Sequence, residues 1–444
     1  LDKKADDKAP QNVNGHRSEW KGYTRLFLNP SGDQIAGDRA ECTAQSHPEP
    51  QHNEKDYFIP LGEIIDFSMH NLRMAESVCA GHPDKLADLI ADKLLDAALE
   101  RDPFARTSFE VMVTTGLVIV GGELSTEAFI DIQRVVRGTI KEVGYTEPDL
   151  GFDADTCGVI QAIDEQSPEI ALGISSEGAG DTAIVVGYAT REAPNLMPWP
   201  ITVAHAITKK VDEYRKTGRL PFLRPDGKCL VVMEYEDGLP KKIEAVYLYV
   251  QHDPDIGLRQ LRNLLTEEVI LKVLPDHLLS PSTRIEVNPS GRFVFGGPAA
   301  DTGLTGRKII SDAYGDIGFS GGSAFSGKDP TKTDRAGSYI ARYIAKNIVA
   351  ADLADKCLVQ IGYAFGLSEP VAFDIETFGT ERVDKEKLVE VVRELFPLKP
   401  LEIIEFLDLR RPIYAQTAVY GQFGKENLPW EKTDKVDLLK EKLL

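Results

Sequence analysis

Apolar residues recur at helical and then strand spacing, in the same order, three times along the chain. Asp84 to Glu100 carries Leu86, Leu89, Ile90, Leu94 and Ala97 at helical spacing, the runs TSFEVMVTTG and LVIVGGEL read as two strands, and Thr126 to Val143 returns to the helical period. The second round has a helix over Thr202 to Thr217, a hairpin of KCLVVMEYEDG and KKIEAVYLYVQ, and a helix over Leu258 to Leu274. The third has a helix over Asp334 to Ala351, a hairpin of KCLVQIGYAFG and EPVAFDIETFG, and a closing helix near Asp384 to Leu395. This repetition predicts an α+β fold of three similar units, each a mostly antiparallel sheet with helices on one face. The uncovered sheet faces then need partners, which favours tight packing between domains or subunits.

Residues 1–68 mix Gly, Pro, Asn, Asp and His without a sustained period, and the first methionine is Met69. They read as a disordered or non-native leader. The 444-residue chain is 42% hydrophobic with a formal net charge of −19, so it can bury a large core, and nonspecific attraction to nucleic acid is disfavoured. An anionic ligand therefore needs a local basic cluster. The cysteines Cys42, Cys79, Cys157, Cys229 and Cys357 lie far apart without metal-ligand spacing, which fits a reducing, cytoplasmic compartment. No apolar run approaches the roughly 18 residues that cross a bilayer.

Asn288 to Arg335 supplies the basic cluster. Its glycines expose backbone N–H groups, and Arg307, Lys308, Lys328 and Lys332 add positive charge, a mixture suited to gripping the polyphosphate of a magnesium nucleotide. Within it, GSAFSGK matches the G-x4-G-K part of a phosphate-binding P-loop. Asp329 and Pro330 follow where a metal-binding hydroxyl and a helix start belong, which argues against that fold. Asp84 and Asp334 are candidate Mg²⁺ ligands, and His82, Asp84 and Lys85 stand at a predicted helix N-terminus, where a ligand or a simple N-cap role is open.

These residues resemble those of the S-adenosylmethionine synthetase (methionine adenosyltransferase) family. The matching strings are GHPDK at 81–85, QSPEIA at 166–171, GAGD at 178–181, GYAT at 187–190, LRPDGK at 223–228, GRFVFGGP at 291–298, DTGLTGRKII at 301–310 and AFSGKDPTKTDR at 324–335. The resemblance runs from about Met74 to Asp434. It implies three pseudo-symmetric domains, here 69–170, 178–296 and 297–434, and a homodimer, often paired into a tetramer, with active sites shared between subunits. It implies a reaction in which the sulfur of L-methionine attacks C5′ of ATP, triphosphate leaves, and the triphosphate is cleaved to phosphate and diphosphate.

By the same matching, His82 assists departure of triphosphate, and Lys228, Arg307, Lys308 and Lys328 contact the polyphosphate. Asp226, Phe293, Asp301 and Phe365 join the ATP site, and Glu123, Gln166, Asp181 and Lys332 orient methionine. Asp84 and Asp334 hold Mg²⁺, two ions per site, Glu110 is associated with K⁺, and Glu76 is a further site acid. The stretch between Gln166 and Gly178 is shorter than is usual for the family, and Thr114, Thr182, Ser320 and Phe365 depart from its pattern. Phe365, standing where an aliphatic residue is expected, predicts a second aromatic face for adenine beside Phe293. A non-catalytic regulatory homologue is the alternative class. It is expected to have lost some of His82, Asp84, Lys228, Arg307, Lys308, Lys328, Lys332 and Asp334, and all are present.

Overall fold

The computed structural model describes residues 71–165, 178–317, 319–321 and 323–444. The expected leader, Gln166 and the shortened stretch after it lie outside the described residues. The predicted hairpins form as β2 (Arg106–Thr114) with β3 (Leu117–Ser125), β6 (Leu223–Glu236) with β7 (Leu239–His252), and β10 (Lys356–Tyr363) with β11 (Ala372–Glu376). Their period of two is visible in burial: Thr107, Phe109, Val111 and Val113 of β2 point into the core and the residues between them point away.

Each hairpin is covered on one face by two helices. Helices α1 (Pro83–Arg101) and α2 (Ile132–Val143) pack Leu86, Ile90, Val136 and Ile140 against Val111, Val113, Val118 and Val120. Helices α3 (Trp199–Lys216) and α4 (Leu258–Leu264), the latter prolonged by a π turn over Leu265–Ile270, cover β6 and β7. After the single turn α5 (Ile309–Asp312), helices α6 (Thr333–Ala350) and α7 (Lys385–Leu395) bury Ile340, Ile344, Leu388 and Val392 against Val359 and Ile361. The first unit's closing helix starts at Ile132 rather than Thr126, because Asp131 accepts the Arg134 N–H at 3.0 Å and so acts as the N-cap.

The remaining strands tie the three units into a ring of exchanges. Strand β1 (Asn71–Val78), which leads into α1, pairs antiparallel with β6 of the second unit. Strand β5 (Ala183–Thr190), which precedes α3, pairs with β10 of the third. The short β9 (Gly303–Leu304), upstream of α6, closes the circle on β2 of the first. Two parallel edge strands, β4 (Gly158–Asp164) beside β3 and β8 (Arg284–Val287) beside β7, complete the first two sheets. The sheet orders β4-β3-β2-β9, β8-β7-β6-β1 and β11-β10-β5 are thus variations on one pattern, the three-fold pseudo-symmetry expected from the repeats. Strand exchange also explains why the described residues form a single compact unit.

Candidate active site

The site begins where β1 ends and α1 starts. Pro83 occupies the first turn of α1, where its missing N–H costs nothing, and His82 caps it: the ring Nδ1 accepts the Asp84 N–H at 3.2 Å. Because a backbone N–H can only donate, Nδ1 is unprotonated and the ring proton of neutral His82 is on Nε2. Burial, followed by the Lys308 cation, lowers the His82 pKa to about 3, so the ring stays neutral.

The expected basic loop lies directly against this helix start. A side chain at Gly303 would put its Cβ 2.1 Å from the carbonyl carbon of Pro83, so glycine is what lets the loop approach. Asp84 Oδ1 accepts the Leu304 N–H at 3.1 Å, and Asp84 Oδ2 accepts from Lys308 Nζ at 2.6 Å. Arg307 lies 3.8 Å from the same carboxylate with its side chain 54% exposed. From the neighbouring sheet, Lys228 of β6 pairs with Glu76 of β1 at 2.6 Å, and its charge reaches His82. Glu76, the Gly306–Ser311 segment, Ser320 and Gly321 line a cleft of about 460 Å³. His82, Asp84, Glu76, Lys228, Arg307 and Lys308 are therefore brought together within one chain.

A second group forms at the start of α6. Lys328 Nζ donates to Asp334 at 2.6 Å, and Glu110 on β2 feels the Lys328 charge, although burial is the larger influence and raises its carboxyl above the usual range. Gly327 has φ +82°, and a Cβ there would lie 2.1 Å from the Phe109 carbonyl oxygen. Lys328 then bridges to Ser108, and no helix begins until Thr333, so the helix that a P-loop places directly after its lysine does not follow Lys328. Beside this group, Thr333 Oγ1 donates to the Asp181 carbonyl at 3.3 Å, and Thr182 Oγ1 accepts the Phe365 N–H at 3.2 Å. The Thr182 hydroxyl thus holds the backbone at Phe365.

The other candidates have surroundings of their own. Lys332 Nζ donates to Asp329 at 3.2 Å, so its ammonium already has a partner. Asp226 is turned inward, where its carboxylate accepts the Gly297 N–H at 2.9 Å and burial raises its pKa to about 6. Phe293 is held through its backbone by His252, and no ring contact joins it to Phe365 among the described residues. Phe365 itself is 47% exposed. Asp301 is exposed, and Glu123 on β3 pairs in register with Ser108 and Asp164. No group of three or more His, Cys, Asp or Glu side chains among the described residues is arranged to hold a metal. Asp84 and Asp334 instead present single carboxylates beside lysines. That donor set fits Mg²⁺ arriving with phosphate oxygens as its other ligands, not a preformed protein cage.

Comparison with known proteins fits this geometry. Family models described as the N-terminal, central and C-terminal domains of S-adenosylmethionine synthetase match residues 70–168, 176–293 and 295–432. An S-adenosylmethionine synthase of Aquifex aeolicus is 70% identical over 375 residues, covering 84% of this chain and 100% of the relative. One of Desulforudis audaxviator is 50% identical over 386 residues, covering 83% of this chain and 98% of the relative. The chain belongs to the S-adenosylmethionine synthetase family.

Proposed function

We propose that this protein makes S-adenosylmethionine from ATP and L-methionine, by attack of the methionine sulfur on ribose C5′ and release of triphosphate that is then hydrolysed to phosphate and diphosphate. The observation that carries this reading is the gathering of Lys228, Arg307 and Lys308 around a neutral, N-capping His82. A thioether is nucleophilic without a base, so the protein's tasks are alignment and stabilisation of charge on the departing triphosphate. His82 Nε2–H is free to donate a hydrogen bond to the leaving oxygen while Nδ1 stays bound to the helix backbone. Arg307, Lys308, Lys228 and Lys328 neutralise the polyphosphate.

Mg²⁺, held by Asp84 and Asp334, supplies further charge stabilisation when bound. Glu110 is the residue proposed for K⁺. Asp181 and Glu123 are proposed for the methionine ammonium, Gln166 for its orientation, and Lys332 for its carboxylate once released from Asp329. Asp226, Asp301, Phe293 and Phe365 are the proposed nucleoside contacts, with Glu76 as a further site acid.

We propose a homodimer, able to pair into a tetramer, with shared active sites. The support is the apolar surface exposed beside them: Ile184 is 72%, Ile310 58%, Leu367 52% and Val371 59% exposed. No described helix is long and apolar enough to cross a membrane, which suits the cytoplasmic location we propose. The test of function is incubation with ATP, methionine, Mg²⁺ and K⁺ followed by mass spectrometry. S-adenosylmethionine is expected, whereas bound ATP without product would favour a regulatory, non-catalytic role.

A further inference from the structure

Helix α1 reads PDKLADLIADKLLDAALER, and its aspartates fall at 84, 88, 92 and 96, each one i+4 step from the last. That spacing puts them in a row along one helical face, about 6 Å apart at 1.5 Å per residue. A row of acids on a helix usually marks a solvated face, yet Asp88 and Asp92 are both 0% exposed. Every member accepts backbone N–H groups from the C-terminal third of the chain. Asp84 takes Leu304 at 3.1 Å, Asp88 takes Gly306 at 2.8 Å, Asp92 takes Gly327 at 2.9 Å, and Asp96 takes Tyr414 and Ala415 at 2.9 and 2.8 Å.

The two middle members hold the loops that carry the cations. Gly306 directly precedes Arg307 and Lys308, and Gly327 directly precedes Lys328. Asp92 also binds Arg335 through both oxygens, at 2.7 and 2.9 Å, and the same guanidinium donates to the Lys328 carbonyl at 3.0 Å. The two peptides that flank the Gly327–Lys328 pair are thereby tied to Asp92, one directly and one through Arg335. Asp88 is charge-balanced from inside the core by Lys85 at 2.9 Å, which also pairs with Asp312 in the turn that follows Lys308.

We infer that Asp88 and Asp92 are positioning residues for the reaction, one turn of α1 apart, which set the separation of the Arg307–Lys308 and Lys328 loops and so the geometry of polyphosphate binding. The helix acts as a ruler. Neither aspartate touches substrate; each acts through a loop amide.

This inference rests on the function proposed above, and the test separates the two. In the full chain, Asp88→Asn, Asp88→Glu and Asp96→Asn are compared by calorimetric titration with inorganic triphosphate and Mg²⁺, by thermal melting, and by kcat and methionine KM. Asp96→Asn alters the same kind of contact at the far end of the row, where the attached segment carries none of the residues proposed to contact polyphosphate. Both Asp88 variants are expected to weaken triphosphate binding about 10-fold and lower kcat at least as much, with methionine KM within about 3-fold, while Asp96→Asn leaves triphosphate affinity unchanged at a similar fall in melting temperature. Asp88→Glu keeps the charge beside Lys85, so it remains informative if the amide variant does not fold. Unchanged triphosphate affinity in Asp88→Glu, or an equal loss in Asp96→Asn, overturns the positioning role alone. A wild-type protein that neither binds triphosphate nor makes S-adenosylmethionine overturns the functional reading as well.

Discussion

Asp84 and Lys308 stand 224 residues apart in sequence and meet at 2.6 Å, with 5% and 13% of their side chains exposed. Neither is spent on the fold alone. The Lys308 ammonium points toward the cleft and lowers the His82 pKa, so it is positioned to act on an anion beside that ring. Lys308→Met is expected to lower kcat roughly 10²–10³-fold, as for loss of one charged group facing a developing oxyanion, with methionine KM little changed. Initial rates check this, and a loss below about 3-fold would remove Lys308 from charge stabilisation.

His82 is assigned as a neutral hydrogen-bond donor, not a titrating acid. With its pKa lowered to about 3, chiefly by burial, it contributes no limb to the rate profile between pH 6 and 9. His82→Asn keeps a good N-cap and an N–H donor, so it is expected to melt close to wild type and lose about 10–100-fold in rate, with an unchanged profile shape. A wild-type limb near pH 6–7 that vanishes in His82→Asn would make the ring a general acid and contradict this assignment.

A second buried histidine separates stability from chemistry. His205 bonds Ser77 Oγ at 2.8 Å under β1, and burial, then the Lys425 charge, lowers its pKa to about 3. Since the folded pKa lies below the unfolded value of about 6.5, only the unfolded chain takes up the proton in the window between them, so this contribution to stability is lost as pH falls below 6.5. At pH 5 the loss is at most about 2 kcal/mol. Urea unfolding of wild type and His205→Gln should show their stability difference shifting toward the variant from pH 7 to pH 5, and a pH-independent difference would contradict the shifted histidine.

Asp226 carries the opposite sign. Its folded pKa, raised to about 6 by burial, exceeds the unfolded value, so ionising it costs stability above pH 6 and the cost disappears as pH falls toward 4. Asp226→Asn preserves an acceptor for Gly297 and is expected to stabilise the protein at pH 8 by on the order of 1–3 kcal/mol, with little effect at pH 4. Unfolding curves at both pH values decide this. ATP KM in the same variant decides whether the inward carboxyl has any part in nucleotide binding.

Much of the architecture was legible because it rests on local periodicity. The three helix–hairpin–helix repeats read correctly from apolar spacing, and the largest shift among the helix ends is the start of α2, where the Asp131 cap outweighs the apolar pattern before it, while α3 starts three residues earlier than expected. The exchange of β1, β5 and β9 between sheets was not legible, since nothing in a strand's own residues names its partner. The cationic cluster was visible as charge in an acidic chain. What held it was not: Asp88 and Asp92 look like the solvated side of an amphipathic helix until the glycine loops are seen lying on them. Lys332 and Asp226 illustrate the converse, since motif matching gives them roles in ligand binding while the fold supplies each with an internal partner.

The central claim is that this site displaces triphosphate from C5′ and does not transfer a phosphoryl group. Its most direct test is the product balance after incubation of the full chain with ATP, L-methionine, Mg²⁺ and K⁺, read by mass spectrometry and phosphate analysis. The account predicts S-adenosylmethionine, phosphate and diphosphate in equal amounts, with no ADP or AMP. Accumulation of ADP or AMP while methionine is unchanged would contradict it.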